Sequence, residues 1–273
     1  HCEGVVVESK SGRTFYQAAM VIDTTGDADL LERAGVPVVQ GNNFFTYSAA
    51  GVTLDSCRKA VESGRINDAS VGFSGGRSTL YGQHHPEGMR LFQGTTAEDV
   101  SDFLIKNQRQ LLEKIKDDAR FSRDILALPG MAQFRTTRCI QGDYTLKVAD
   151  QYRHFDDSVG AICDFDQRDF LYEVPYRCLV HHDFDNLITA GRSAAAEGYA
   201  WDVLRVIPPA ILTGQAAGLA AAQAIDAGRP VHAVAIEPLQ AAMAQTGVFI
   251  HFDDAWVPRE AAQPVKEEDY GHI

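Results

Sequence analysis

The chain has 273 residues, 45% hydrophobic and 23% charged, which are ordinary proportions for one large globular domain or two modest ones. A chain this long buries a core without staples, so collagen-like, disordered and disulfide-scaffold architectures are excluded. With 25 basic against 37 acidic residues the net charge is −12, which repels phosphate backbones and speaks against nucleic acid as a partner.

The five cysteines, Cys2, Cys57, Cys139, Cys163 and Cys178, are odd in number and show no C-x-x-C spacing. Free thiols in a reducing compartment fit this pattern better than a disulfide framework, so a cytoplasmic location is expected. The opening His-Cys-Glu-Gly reads as folded sequence, and no signal peptide is expected.

Val5-Val6-Val7, a turn at Ser9–Arg13 and Thr14-Phe15-Tyr16 predict a β-hairpin. Ala18–Ile22 is a continuous apolar run, the type of strand covered on both faces. It ends at Asp23-Thr24-Thr25-Gly26-Asp27, and a short helix follows over Ala28–Ala34, with Asp27 as N-cap and Gly35 as the residue past its end. A helix is expected around Leu54–Val61, then a loose glycine-rich loop at Gly72–Gly76. Thr95-Thr96-Ala97-Glu98 reads as a capping box for a helix whose apolar positions Val100, Phe103, Leu104, Leu111, Leu112 and Ile115 share one face. Strands are expected over Phe134–Ile140, Phe170–Val180 and Leu187–Ala190. Pro208 or Pro209 opens a long helix that ends at Gly228, and a last helix covers Pro238–Gln245 before an acidic tail. The long apolar run Val206–Ile225 carries two prolines and is mostly alanine and glycine, which fits a buried helix rather than a membrane span. Glycine inside that helix costs up to ~1 kcal/mol against alanine, so Gly214 and Gly218 point to close backbone packing against a sheet or a ligand.

Two strand-to-turn junctions stand out: Val21–Asp29, and Asn186–Arg192 followed by Leu204–Pro209 and the alanine-rich helix. Open α/β sheets bind ligands at the carboxyl ends of their strands. Glycine there lets a ligand approach the backbone, and a helix N-terminus favours a group that becomes anionic.

These residues carry a resemblance. Ile22-Asp23-Thr24-Thr25-Gly26-Asp27-Ala28-Asp29, the block Asn186–Arg192 with Arg205-Val206-Ile207-Pro208 and Gly214–Gly218, and the segments Arg135–Tyr144 and Tyr172–Leu179 together resemble the FAD-dependent oxidoreductases that share a two-domain plan with fumarate-reductase-like flavoproteins. The likeness spans about residues 4 to 245, and the Gly191–Gly218 block is its most specific part. It implies an α/β fold: a partial Rossmann-like FAD-binding domain from residues 1–35 and 186–230, an inserted α+β substrate or cap domain at 36–185, and a C-terminal helix and tail at 231–273. It implies FAD as cofactor and hydride transfer between flavin and a small organic substrate. Thr25, Gly26 and Asp27 would lie near the ribityl and pyrophosphate arm. Gly191 and Arg192 would flank the isoalloxazine, and Arg205, Val206 and Ile207 would meet its pyrimidine edge. The strand, G-x-G-x-x-G, helix and acidic residue that open such enzymes are absent from this sequence. The reading is therefore of a C-terminal portion or of one partner in a split flavoprotein. It would associate with a chain supplying that unit, or with its own copies. The segment Ser193–Tyr199 also departs from the family, which often carries Cys-Ile-Ser and a His-Glu pair there.

Candidates to move the partner proton are His84, His85, Tyr81, Tyr144, Tyr176 and Glu197. Arg135, Arg138 and Arg177 are candidates to clamp a substrate carboxylate bidentately. Alternatives are a catalytically silent assembly module and, remotely, a serine hydrolase through the G-x-S-x-G match Gly72-Phe73-Ser74-Gly75-Gly76. The pairs His84-His85 and His181-His182 lack metal-ligand spacing, and no metal site is expected.

Overall fold

The computed structural model describes residues 1–79, 82–164 and 170–258. Its elements are, in order, strands β1 (Gly4–Ser9), β2 (Gly12–Gln17) and β3 (Val21–Asp23), helix α1 (Asp29–Arg33), β4 (Val38–Gln40), β5 (Thr46–Thr53), α2 (Leu54–Ser63) and β6 (Val71–Arg77). Then come α3 (Ala97–Ile115), β7 (Arg123–Ala127), β8 (Arg138–Ile140), β9 (Ser158–Cys163), β10 (Leu171–Pro175), β11 (Leu187–Thr189), α4 (Gly198–Leu204), α5 (Ile207–Ala227) and α6 (Ile236–Gln245). Helices and strands are thus mixed along the chain, the α/β character expected. The strands form small separate sheets.

The described residues fall into two compact units, those within 1–41 and 138–258, and those within 42–137. The segment expected as an insertion, 36–185, is divided between them: 42–137 makes the second unit, while 36–41 and 138–185 lie in the first.

In the first unit the hairpin β1–β2 forms as its turn residues predict, in register from Gly4↔Gln17 to Ser9↔Gly12. β3 and β11 pair in parallel, Leu187↔Val21 through Thr189↔Asp23, so their carboxyl ends open on the same side. α5 packs on both strands, and its Ala216, Ala217, Ala220, Ala221 and Ala224 are buried. Its start at a pair of prolines and its end at left-handed Gly228 follow the sequence. Of the two contacts expected of the glycines of α5, the one with a sheet is not made: a Cβ added at Gly214 or Gly218 would meet no protein atom within 4 Å, and the alanines supply that packing. We expect Gly214→Ala and Gly218→Ala each to raise stability by about 0.5–1 kcal/mol, seen as a higher urea midpoint. No single helix among the described residues is long and apolar enough to cross a membrane.

In the second unit β5 is the central strand of a three-stranded antiparallel sheet between β6 and β7. Phe45, Phe92, Phe103 and Phe134 form its main core cluster. α3 buries Phe103 and Leu111 as its pattern predicts, while Leu112 is exposed. The cap sits one residue later than expected: Thr96, not Thr95, accepts the Asp99 N–H. Gly72–Gly76 is not a loop but most of β6, where Gly75 lets Asn107 of α3, and Gly76 lets Phe45 just before β5, come close. Ser74 lies inside this antiparallel strand and not on a strand-to-helix turn, so the nucleophile elbow required of a serine hydrolase is absent. The expected strands at 134–140 and 170–180 shorten to β8 and β10, the latter ending in a 3-10 turn at Tyr176–Cys178.

Candidate functional site

The site is built from the turns that leave β3 and β11. Asp23 ends β3 with its carboxylate buried, and it organises the first turn. Oδ1 accepts the Thr25 N–H at 2.9 Å and the Thr25 hydroxyl at 2.7 Å. Oδ2 accepts the N–H groups of Leu30 at 3.1 Å and Leu31 at 2.9 Å. Asp23 thereby caps α1 from before its start, seven and eight residues ahead of the two N–H groups it binds. Asp27 was expected in this role, but the chain passes through left-handed Ala28, φ 54°, which is itself the N-cap residue and makes no side-chain cap. Gly35 is the predicted terminator: its N–H bonds Glu32 and the Val36 N–H bonds Leu31, the double closure of a Schellman motif.

Asp27 instead holds two arginines. Its Oδ1 accepts from Arg192 Nε at 3.2 Å and Nη2 at 3.0 Å, and its carbonyl accepts from Arg138 Nε at 2.9 Å. Arg138 also bonds Asp29 through Nη2 and faces Glu32 at 3.4 Å. A Cβ on Gly26 would lie 2.6 Å from the Arg192 guanidinium carbon, so the bare backbone of Gly26 makes room for that side chain. An open cleft of about 500 Å³ beside the turn is lined by Cys2, Val5, Val6, Thr25, Asp29 and Leu30, a volume in the range of small-molecule sites.

The second turn is anchored to the first. The Thr189 hydroxyl and the Ala190 N–H both donate to the Asp23 carbonyl, at 3.0 and 3.3 Å. Gly191 follows at φ +76°, a conformation that favours glycine, and its N–H donates to Thr213 Oγ1 on α5 at 2.9 Å. Only Ala210 comes near the space a Cβ would take there, at 3.7 Å. The Trp201 indole of α4 donates to the Arg192 carbonyl at 2.7 Å. These bonds bring the α4–α5 junction against the turn. Arg205 pairs with Asp202, and its Nε–H is buried with no hydrogen-bond partner. Val206 is the N-cap of α5, but Pro208 and Pro209 lack N–H groups. Val206 and Ile207 are thus the only residues of that first turn with an N–H to offer.

The expected proton carriers are scattered. Tyr176 is buried, and its hydroxyl donates to the Val231 carbonyl at 2.6 Å; burial pushes its phenol far up. Burial and then Asp150, which accepts its proton at 2.7 Å, push the Tyr144 phenol up to about 12. His85 belongs to the second unit, where its Nδ1 accepts the Phe45 N–H at 3.1 Å and its Nε2 donates to the Met89 carbonyl at 3.0 Å, so both nitrogens serve as a clip. His84, in the same unit, is exposed at φ 61°. Tyr81 lies outside the described residues. Glu197 is exposed at the start of α4, 3.6 Å from Lys147 Nζ. Of the arginines expected to clamp a substrate carboxylate, half-exposed Arg177 forks onto Asp157 at 2.9 and 3.1 Å, Arg138 holds the first turn, and Arg135 lies beside Asn42 and Gln133 in the second unit. Sequence reading missed Asp23 as organiser. The signal was its place as the last residue of an apolar strand, with two threonines next.

A family model described as FAD dependent oxidoreductase matches residues 1–87 and 58–243, most of the chain. The chain therefore belongs to the FAD dependent oxidoreductase family, a family of flavin-linked oxidoreductases. No curated protein and no solved structure matches it.

The residues fit the ring end of that cofactor. The unpartnered Arg205 Nε–H and the free N–H groups at the head of α5 are donors suited to a carbonyl and nitrogen edge. Gly191 leaves the approach open.

Proposed function

We propose that the turn at Gly191–Arg192 and the α4–α5 junction hold the isoalloxazine of FAD in an oxidoreductase acting on a small organic substrate. The observation that carries this is the buried Arg205 Nε–H without a partner, since a buried donor left unpaired costs about 1–3 kcal/mol and calls for an acceptor. When bound, the flavin supplies hydride acceptance and donation at its N5. The protein's own part is to bind and orient. Arg205 and the N–H groups of Val206 and Ile207 stabilise negative charge at the pyrimidine edge. Arg192, held by Asp27, keeps the two turns in register, and the cleft beside Thr25 gives room for the ribityl arm. Glu197 is the proton carrier in this reading, because it is exposed and lies on the same continuous segment as Gly191 and Arg205. Arg138 is a positioning residue that fixes Asp27 and Asp29.

Titrating the purified chain with FAD tests this. Quenched flavin fluorescence and a shifted visible band are expected, with Arg205→Met weakening binding by about 10-fold or more, the loss of a charge-assisted donor of ~1.5–3 kcal/mol. An FAD spectrum that stays that of free flavin, or equal affinity in the variant, would sink the assignment of these residues to the ring.

A further inference from the structure

A second cluster in the first unit is independent of the flavin reading. Glu173 sits within β10 with its side chain fully buried. Its Oε1 lies 2.6 Å from His154 Nδ1, and its Oε2 lies 3.0 Å from His251 Nδ1 and accepts the Phe155 N–H at 2.8 Å. The other nitrogen of His154, Nε2, faces Asp254 Oδ1 at 2.9 Å.

A neutral imidazole carries one N–H, so His154 cannot donate to both carboxylates at once. Once Nε2–H points at Asp254, the Nδ1 lone pair faces a buried carboxylate. Such an arrangement needs one more positive charge between them, because buried charges are paired or coordinate a metal. The extra charge is either a second proton or a metal ion.

Three features favour the metal. The Nδ1 atoms of two histidines converge on the two oxygens of one carboxylate, and one donor atom from each of the three residues lies within 4.8 Å of the other two. Asp254 stands where a ligating histidine almost always has its partner, accepting the remaining ring N–H and fixing the tautomer. Both histidines are about half exposed, 43% and 47%, which gives an ion a path to a buried carboxylate. In a tetrahedral zinc site the donor atoms stand roughly 3.3 Å apart, so the contacts at 2.6 and 3.0 Å need to open by less than 1 Å.

We propose that His154, Glu173 and His251 bind one divalent cation of the zinc class, with Asp254 orienting His154 and solvent filling the fourth position. The ion would tie the segment after α6, which carries His251 and Asp254, to β10. That segment already lies along β9 through the Ala161 N–H to Phe249 carbonyl bond at 2.7 Å. The cluster Asp143, His181 and His182 is the weaker competitor, because His181 Nδ1 already accepts the Asp183 N–H at 3.2 Å.

The test is calorimetric titration of the full chain with zinc chloride, and with cobalt(II) for its visible ligand-field bands. One ion per chain is expected at this site, with tetrahedral cobalt absorption. Asp254→Ala is expected to weaken binding about 10–100-fold, and His251→Ala and His154→Gln at least as much. His182→Ala should leave it unchanged. Each histidine variant removes one partner of the buried Glu173, so circular dichroism must first show that the variant keeps the parent fold. No binding by the wild-type chain, or binding that survives both histidine variants, overturns the proposal; in the first case the second proton holds the cluster, in the second the ion sits elsewhere.

Discussion

Asp23→Ala is expected to destabilise the first unit by about 3–5 kcal/mol, the largest loss of any single polar side chain in the site. The carboxylate accepts four hydrogen bonds, from Thr25 N–H, the Thr25 hydroxyl, Leu30 N–H and Leu31 N–H. Leu31 is fully buried, so water cannot replace the lost acceptor at its N–H. Asp23→Asn keeps the shape and one acceptor oxygen, but turns an amide NH₂ toward donors; an intermediate loss of about 1–3 kcal/mol is expected. Urea unfolding read by circular dichroism measures both. An alanine variant within 1 kcal/mol of the parent would show that α1 and its turn are held by something else.

Gly76→Ala is expected to cost the second unit about 3 kcal/mol or more. The added Cβ would lie 2.2 Å from the Phe45 carbonyl oxygen and 2.6 Å from Phe45 Cδ1. Main chain cannot swing aside as a side-chain tip can, and Phe45 belongs to the aromatic cluster. Gly72→Ala is the control on the same strand. Its Cβ would meet only Ser48 Oγ, at 3.3 Å, and the loss should stay below about 1 kcal/mol. Equal unfolding midpoints for the two variants would refute the account of why β6 is rich in glycine.

These glycines show where reading a sequence stops. In a row, Gly72-Phe73-Ser74-Gly75-Gly76 has weak strand propensity and suggests a loop. Gly75 and Gly76 are required by neighbours far along the chain, Asn107 and Phe45, whose backbone atoms occupy the space of a side chain. Gly214 and Gly218 are the reverse case. Their helical spacing suggests close contact, yet the space beside them is open.

The same division runs through the site. Arg138 and Tyr176 carry the right chemistry for substrate work, but their donors are taken by Asp27, Asp29 and the Val231 carbonyl. No spacing rule reveals that, because the partners lie 55 to 111 residues away. His154, Glu173 and His251 likewise span 97 residues and share no motif (251 − 154).

By itself the sequence determined the hairpin at 4–17, the presence of a strand before each of the two turns, both ends of α5, the Gly35 stop of α1 and the flavoprotein family, while the parallel pairing of those two strands came from the tertiary structure. Each rests on short-range rules: turn residues, proline at a helix start, glycine past its end, apolar runs. Only the tertiary structure decided that Asp23 rather than Asp27 caps α1, that Arg192 fills the space above Gly26, and that Arg205 keeps a buried donor without a partner. Satisfying a buried polar group depends on which distant atoms packing brings within about 3 Å, and local propensity does not encode that.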